Sequence, residues 1–166
     1  MKTVGALLIF LSALCGYLRC RYKAMLPLKL ARALVADLAV LRNSVYISRR
    51  PLPFILAEDL REGLGAEYLW KPFGTLLGCA SDGAGSTVRE SWIQAVWQLP
   101  VPFSSWLLPL GPFFSAGGNS LAQVIDEIRE ELICYIRAGE KQCSDQLKLS
   151  AALYFSAACL VVLILL

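Results

Sequence analysis

The chain has 166 residues, of which 57% are hydrophobic and only 17% charged, against ~25% charge in an ordinary soluble domain. A net charge of +3 is too small to direct it to nucleic acid, and the absence of histidine removes the commonest general base and zinc ligand. Its six cysteines, Cys15, Cys20, Cys79, Cys134, Cys143 and Cys159, form no CxxC pair, which argues against a secreted disulfide framework and for reduced thiols.

Residues 3–18 (TVGALLIFLSALCGYL) form an uncharged apolar segment, preceded by Lys2 and followed by Arg19, Arg21 and Lys23. A cleaved signal peptide would want a small-residue cleavage site and no basic cluster after it, so an uncleaved membrane anchor over 1–20 is the expectation. The length is marginal, and a tilted or interfacial helix is the alternative. Pro27 suits a helix start. Leu30, Leu34, Leu38, Leu41 and Val45 then recur at steps of four and three, which predicts an amphipathic helix to about Ser48. Pro51 opens a short helix with Leu52, Ile55, Leu56 and Leu60 on one face, and Gly63 and Gly65 end it. Residues 68–77 read as helix interrupted at Pro72, and 79–85 (CASDGAG) as loop.

Thr87 and Glu90 have capping-box spacing. The helix after them carries Val88, Trp92, Val96 and Leu99 on one face and stops at Pro100 and Pro102. Residues 103–116 are apolar but hold Pro109 and Pro112, which predicts a kinked or broken helix. Gly117 and Gly118 turn the chain into a final long helix, which Asn119 or Ser120 can cap, Ser120 and Gln123 having capping-box spacing. Leu121, Ile125, Ile128, Leu132, Tyr135, Gly139 and Cys143 share one face of it. Residues 149–166 carry no charge, about the length that crosses a ~30 Å hydrocarbon layer. The alternative is a core helix with an apolar tail. No alternating strand pattern occurs. The expected fold is all-α: an antiparallel helical bundle over 21–148 between an anchor at 1–20 and a transmembrane segment at 149–166.

Basic residues crowd the inner ends of both apolar segments: Arg19, Arg21, Lys23, Lys29 and Arg32 on one side, Lys141 and Lys148 on the other. The positive-inside rule then places the central domain in the cytoplasm and both termini beyond the membrane.

No catalytic, cofactor-binding or metal constellation stands out. Gly78, Gly83 and Gly85 lack the lysine of a phosphate loop, its position being Ala84. Asp126, Glu127, Glu130 and Glu131 lie off the apolar face, as a solvated acidic surface would, and Glu127, Glu130 and Glu131 are candidate contacts for a basic partner. Cys79 is the best-placed thiol, with no flanking base to lower its pKa. Trp92 is expected in the core, while Trp70, Trp97 and Trp106 are open between core, partner contact and membrane surface. Gly74-x-x-x-Gly78 lies outside the spans, so it is not read as a membrane dimer motif.

The ordered layout resembles the stage III sporulation protein AB family of endospore-forming bacteria, itself similar to the cytoplasmic domain of the type II secretion platform protein (GspF-like). The stretch from Leu34 to Tyr46 with Pro51-Leu52, Trp92 in RESWIQAVWQL, Leu108-Leu110-Gly111, and Asn119 with Gln123 resemble family features in order. Ser115, Asn119, Tyr154 and Ala158 depart from the family pattern, and Pro109 and Pro112 fall in a family helix. The resemblance implies structural roles for Trp92, Gly111, Asn119 and Gln123. It implies a non-enzymatic subunit of the channel joining mother cell and forespore, in the mother-cell membrane around the forespore, contacting a cytoplasmic ATPase and other channel subunits, with no cofactor. A membrane-tethered chaperone or regulator outside any channel is the alternative, and a thiol enzyme using Cys79 a third.

Overall fold

The computed structural model describes residues 2–46, 52–79, 87–115 and 118–165. Among them the protein is all-α with no strand: α1 Lys2–Tyr46, α2 Leu52–Glu58, a π-helical turn Ala66–Trp70, α3 Lys71–Cys79, α4 Val88–Val96, α5 Phe103–Leu107, a 3-10 helix Leu108–Ser115 and α6 Gly118–Leu165. The chain divides into two compact units. One is Met1–Leu28 with Ile136–Leu166, the other Lys29–Tyr135.

The second unit is built from the stripes seen in the sequence. Leu30, Leu34, Leu38 and Leu41 of α1 are buried, as are Leu121, Ile125, Ile128 and Leu132 of α6. The Arg42 guanidinium donates from Nε to Asp126 Oδ2 at 2.9 Å and so joins α1 to α6, while Arg129 Nη1 reaches the other carboxylate oxygen at 3.5 Å. Thr87 and Glu90 form the capping box in full: the Thr87 amide donates to Glu90 Oε2 at 2.9 Å and the Glu90 amide to Thr87 Oγ1 at 3.3 Å. The box holds α4 so that Trp92, Ala95 and Val96 face inward, whereas Val88, expected on that face, is exposed in the first turn.

Several boundaries differ from the sequence expectation. Pro27 lies inside α1 rather than at a helix start. An interior proline forfeits one backbone bond, and α1 continues through it, flanked by Met25, Leu26 and Leu28. Pro72 does not interrupt its helix: it sits in the first turn of α3, directly after the π-helical turn. That wider turn gives room at the place where the proline ring would crowd the preceding carbonyls. The helix α2 ends at Glu58, before the glycines expected to end it. Gly63 has φ +107°, a left-handed conformation that suits glycine. The 79–85 loop, apart from Cys79 at the end of α3, lies outside the described residues, and α6 begins at Gly118, so Asn119 and Ser120 fall in its first turn.

Gly65 has a different task. A Cβ there would overlap the Asp37 carboxylate, so the missing side chain lets Asp37 approach the backbone. Asp37 Oδ2 accepts a 2.8 Å hydrogen bond from the indole N–H of buried Trp70. Burial pushes the Asp37 carboxyl up from 3.8, partly offset by this bond, which favours the charged form. Between 3.8 and the raised value the folded state holds a proton that the unfolded chain has released. Asp37 therefore subtracts stability as pH rises through that window, and the loss is complete above the folded value. Asp37→Asn keeps an acceptor for Trp70 and removes the titration. Thermal unfolding followed from about pH 4 to about pH 7 should lose this slope in the variant, with a higher midpoint at neutral pH. An unchanged slope would contradict the assignment.

Candidate functional site

In the first unit, α1 and α6 pair directly. Leu28 lies against Gly139, where an added Cβ would come 2.7 Å from Leu28 Cδ2, and the ring of Tyr154 lies against Gly16, where the corresponding distance is 2.9 Å. The order of the two contacts makes the pair antiparallel. Each contact sets a large side chain on a glycine, the arrangement that lets helix backbones approach closely. Cys143 and Ala158 are buried in the same unit.

Charge is distributed in register across this pair. Arg19, Arg21 and Lys23 on α1, and Glu140, Lys141, Asp145 and Lys148 on α6, all fall between the two contacts. Lys148 pairs with Asp145 at 3.7 Å within its own helix. Beyond Gly16 and Tyr154, neither helix has a charge back to residue 3 or on to residue 165. There the outward side chains are mostly apolar: Leu11 is 53% exposed, Leu160 60% and Leu163 71%. One helix, Ser120–Leu163 within α6, is long and apolar enough to cross a membrane, and only 6% of its most apolar stretch is buried. The N-terminal apolar segment begins in residues whose side chains lie outside the described set.

The acidic surface divides in two. Asp126 is occupied by Arg42 and Arg129 and serves the fold. Glu127, Glu130 and Glu131 are exposed on α6, and Gln123 extends the same stripe by donating from Nε2 to Glu127 Oε1 at 3.4 Å. Gln123 thus reaches forward along the helix. The side chain of Asn119 lies outside the described residues, as does that of Cys79 at the end of α3.

Trp92 and Gly111 are brought together. Trp92 is fully buried and its Nε1 donates to the Leu107 carbonyl at 3.0 Å. A Cβ on Gly111 would come 3.0 Å from Trp92 Cδ1, so the glycine admits the indole edge beside the 3-10 helix. Around Trp92 stand Phe73 at 5.0 Å and Phe114 at 4.9 Å between ring centroids, both edge-on, and Trp70 at 5.8 Å. A second group joins Phe103, Trp106 and Tyr135, linking α5 to α6. Trp70 is thereby core, Trp106 half-buried, and Trp97 is 72% exposed. Asp37 was the residue sequence reasoning missed. The signal was present, since Asp37 stands three residues after Leu34 and four before Leu41, on the edge of the apolar stripe.

No family model, curated protein or solved structure matches this chain. The site is therefore defined by its own geometry: an apolar-faced helix pair, a carboxylate stripe on α6, and an aromatic core around Trp92.

Trp92→Phe removes the indole donor, leaves the Leu107 carbonyl without that partner and opens a small void. It should cost about 2–4 kcal/mol in chemical denaturation. A loss below about 0.5 kcal/mol would mean that the indole does not organise this core.

Proposed function

We propose that the chain is a non-enzymatic, membrane-anchored platform subunit of the stage III sporulation AB type, in the channel between mother cell and forespore. The observation that carries the membrane part is the helix pair whose outward face turns apolar at the same level on both helices. In water each such leucine forgoes roughly 1.5–3 kcal/mol of burial, whereas in hydrocarbon it does not. The N-terminal segment would be a second anchor beside the α6 span. The basic residues between the two glycine contacts would lie at the cytoplasmic headgroups, where they meet anionic lipid.

The helical domain, GspF-like in this proposal, would then face the mother-cell cytoplasm and act through its surfaces. The stripe Glu127, Glu130 and Glu131 is the docking site we assign for a basic surface of the cytoplasmic ATPase, with other membrane subunits gathered around the helix pair. What supports the stripe is that its carboxylates are exposed and have no part in the Arg42–Asp126–Arg129 cluster.

Affinity purification of the tagged chain from sporulating cells tests this. The wild type should bring down an ATPase and further small membrane subunits. The triple variant Glu127→Lys, Glu130→Lys, Glu131→Lys should recover about tenfold less ATPase with its helical circular dichroism unchanged. Undiminished recovery would remove the stripe from the account, and recovery of no channel subunit by the wild type would remove the class.

A further inference from the structure

A groove in the unit Lys29–Tyr135 belongs to neither the carboxylate stripe nor the aromatic core's interior. It has a volume of about 360 Å³ and lies between two helical faces. One wall is Pro53, Leu56, Ala57 and Leu60, spaced as one face of α2 and the turn that follows it. The other is Trp70, Gly74, Leu77 and Gly78, one face of α3 and the residue before it. The glycine pair that has no role in the membrane spans thus leaves two gaps in this wall, beside Trp70 and Leu77. A Cβ added at either glycine would meet nothing within 4 Å.

Arg61 and Lys71 complete the lining, and no acid is part of it. Arg61 follows the C-terminal end of α2, and Lys71 is the first residue of α3. Both are exposed, and neither is paired with a carboxylate among the described residues. An apolar trough between two helices, opened by two glycines in one wall and bearing two unpaired cations, matches a third helix with an apolar stripe and carboxylates. The geometry points to a docking groove, between α2 and α3, for an acidic amphipathic helix of a partner protein, its carboxylates meeting Arg61 and Lys71. This site shares no residue with the Glu127–Glu131 stripe and does not rest on the sporulation proposal.

The test uses the full chain in phosphatidylcholine nanodiscs, with empty nanodiscs as the control. The probe is a fluorescein-labelled helical peptide of about 15 residues, with leucines along one face and glutamates at one end. Fluorescence anisotropy should show saturable binding, and the same peptide with lysines in place of the glutamates should bind about tenfold more weakly or worse. Gly74→Leu fills the trough and improves helix propensity in α3, so it should abolish binding with circular dichroism unchanged. The double variant Arg61→Glu, Lys71→Glu should reverse the preference between the two peptides, which keeps the test decisive if Gly74→Leu proves unstable. Equal binding of both peptides, no binding of either, or undiminished binding to folded Gly74→Leu would overturn the proposal. So would a thermal midpoint raised by sodium dodecanoate in the wild type alone with no peptide bound, which would make the groove a fatty-carboxylate site.

Discussion

Leucines facing outward from a pair of long helices are the observation on which the membrane proposal rests. Where α1 and α6 meet at Gly16–Tyr154, the contact consumes one face of each helix, and Leu11, Leu18, Leu153, Leu160 and Leu163 remain outside it. Burial of such groups is the main favourable term in folding in water. A helix pair that spends its glycines on close approach and its leucines on the outside is built by the opposite logic, one suited to hydrocarbon. On the membrane proposal the in-register charges would set the limit of that region: a lysine or arginine at the centre of a bilayer costs about 2.5–3.5 kcal/mol, and none stands beyond Gly16 or Tyr154 before residue 2 or up to residue 165.

The unit Lys29–Tyr135 turns its apolar stripes inward. Both tryptophan indoles in its interior have a partner: the Trp92 indole has the Leu107 carbonyl, and the Trp70 indole has Asp37. These bonds make the two tryptophans positional as well as apolar, because an indole N–H left unpaired inside a core would cost about 1–3 kcal/mol. Glycines again mark the close approaches, Gly111 against Trp92 and Gly65 against Asp37. Glu127, Glu130 and Glu131 take no part in this internal pairing and are exposed on α6.

Much of this was legible in the sequence. The stripes Leu30–Leu41 and Leu121–Leu132 were read from period alone, because a helical face must repeat at three and four. The Thr87–Glu90 box was readable because both its bonds are local. So was the break at 103–116, where α5 passes into a 3-10 helix holding Pro109 and Pro112. What was not legible depends on residues distant in the chain. Asp37 meets Trp70 and Gly65 from another helix, and the groove needs α2 and α3 side by side. The prolines misled for a related reason. A local rule makes Pro27 a start and Pro72 a break, yet α1 runs through the first and a π-helical turn accommodates the second. Of the site residues, Trp92 and Gly111 were named separately, and only the structure sets one against the other.

The chain carries its own probes for the central claim, that the outer face of the helix pair lies in lipid. Cys15 and Cys159 are exposed on that pair, and Cys134 is exposed on α6 within the other unit. Three variants, each keeping one of these cysteines and no other, can be labelled in opened native membrane vesicles with a membrane-impermeant maleimide. The account predicts rapid labelling of Cys134, and none of Cys15 or Cys159 until the membrane is dissolved in SDS. Labelling of Cys15 and Cys159 in intact membranes at the rate of Cys134 would contradict it.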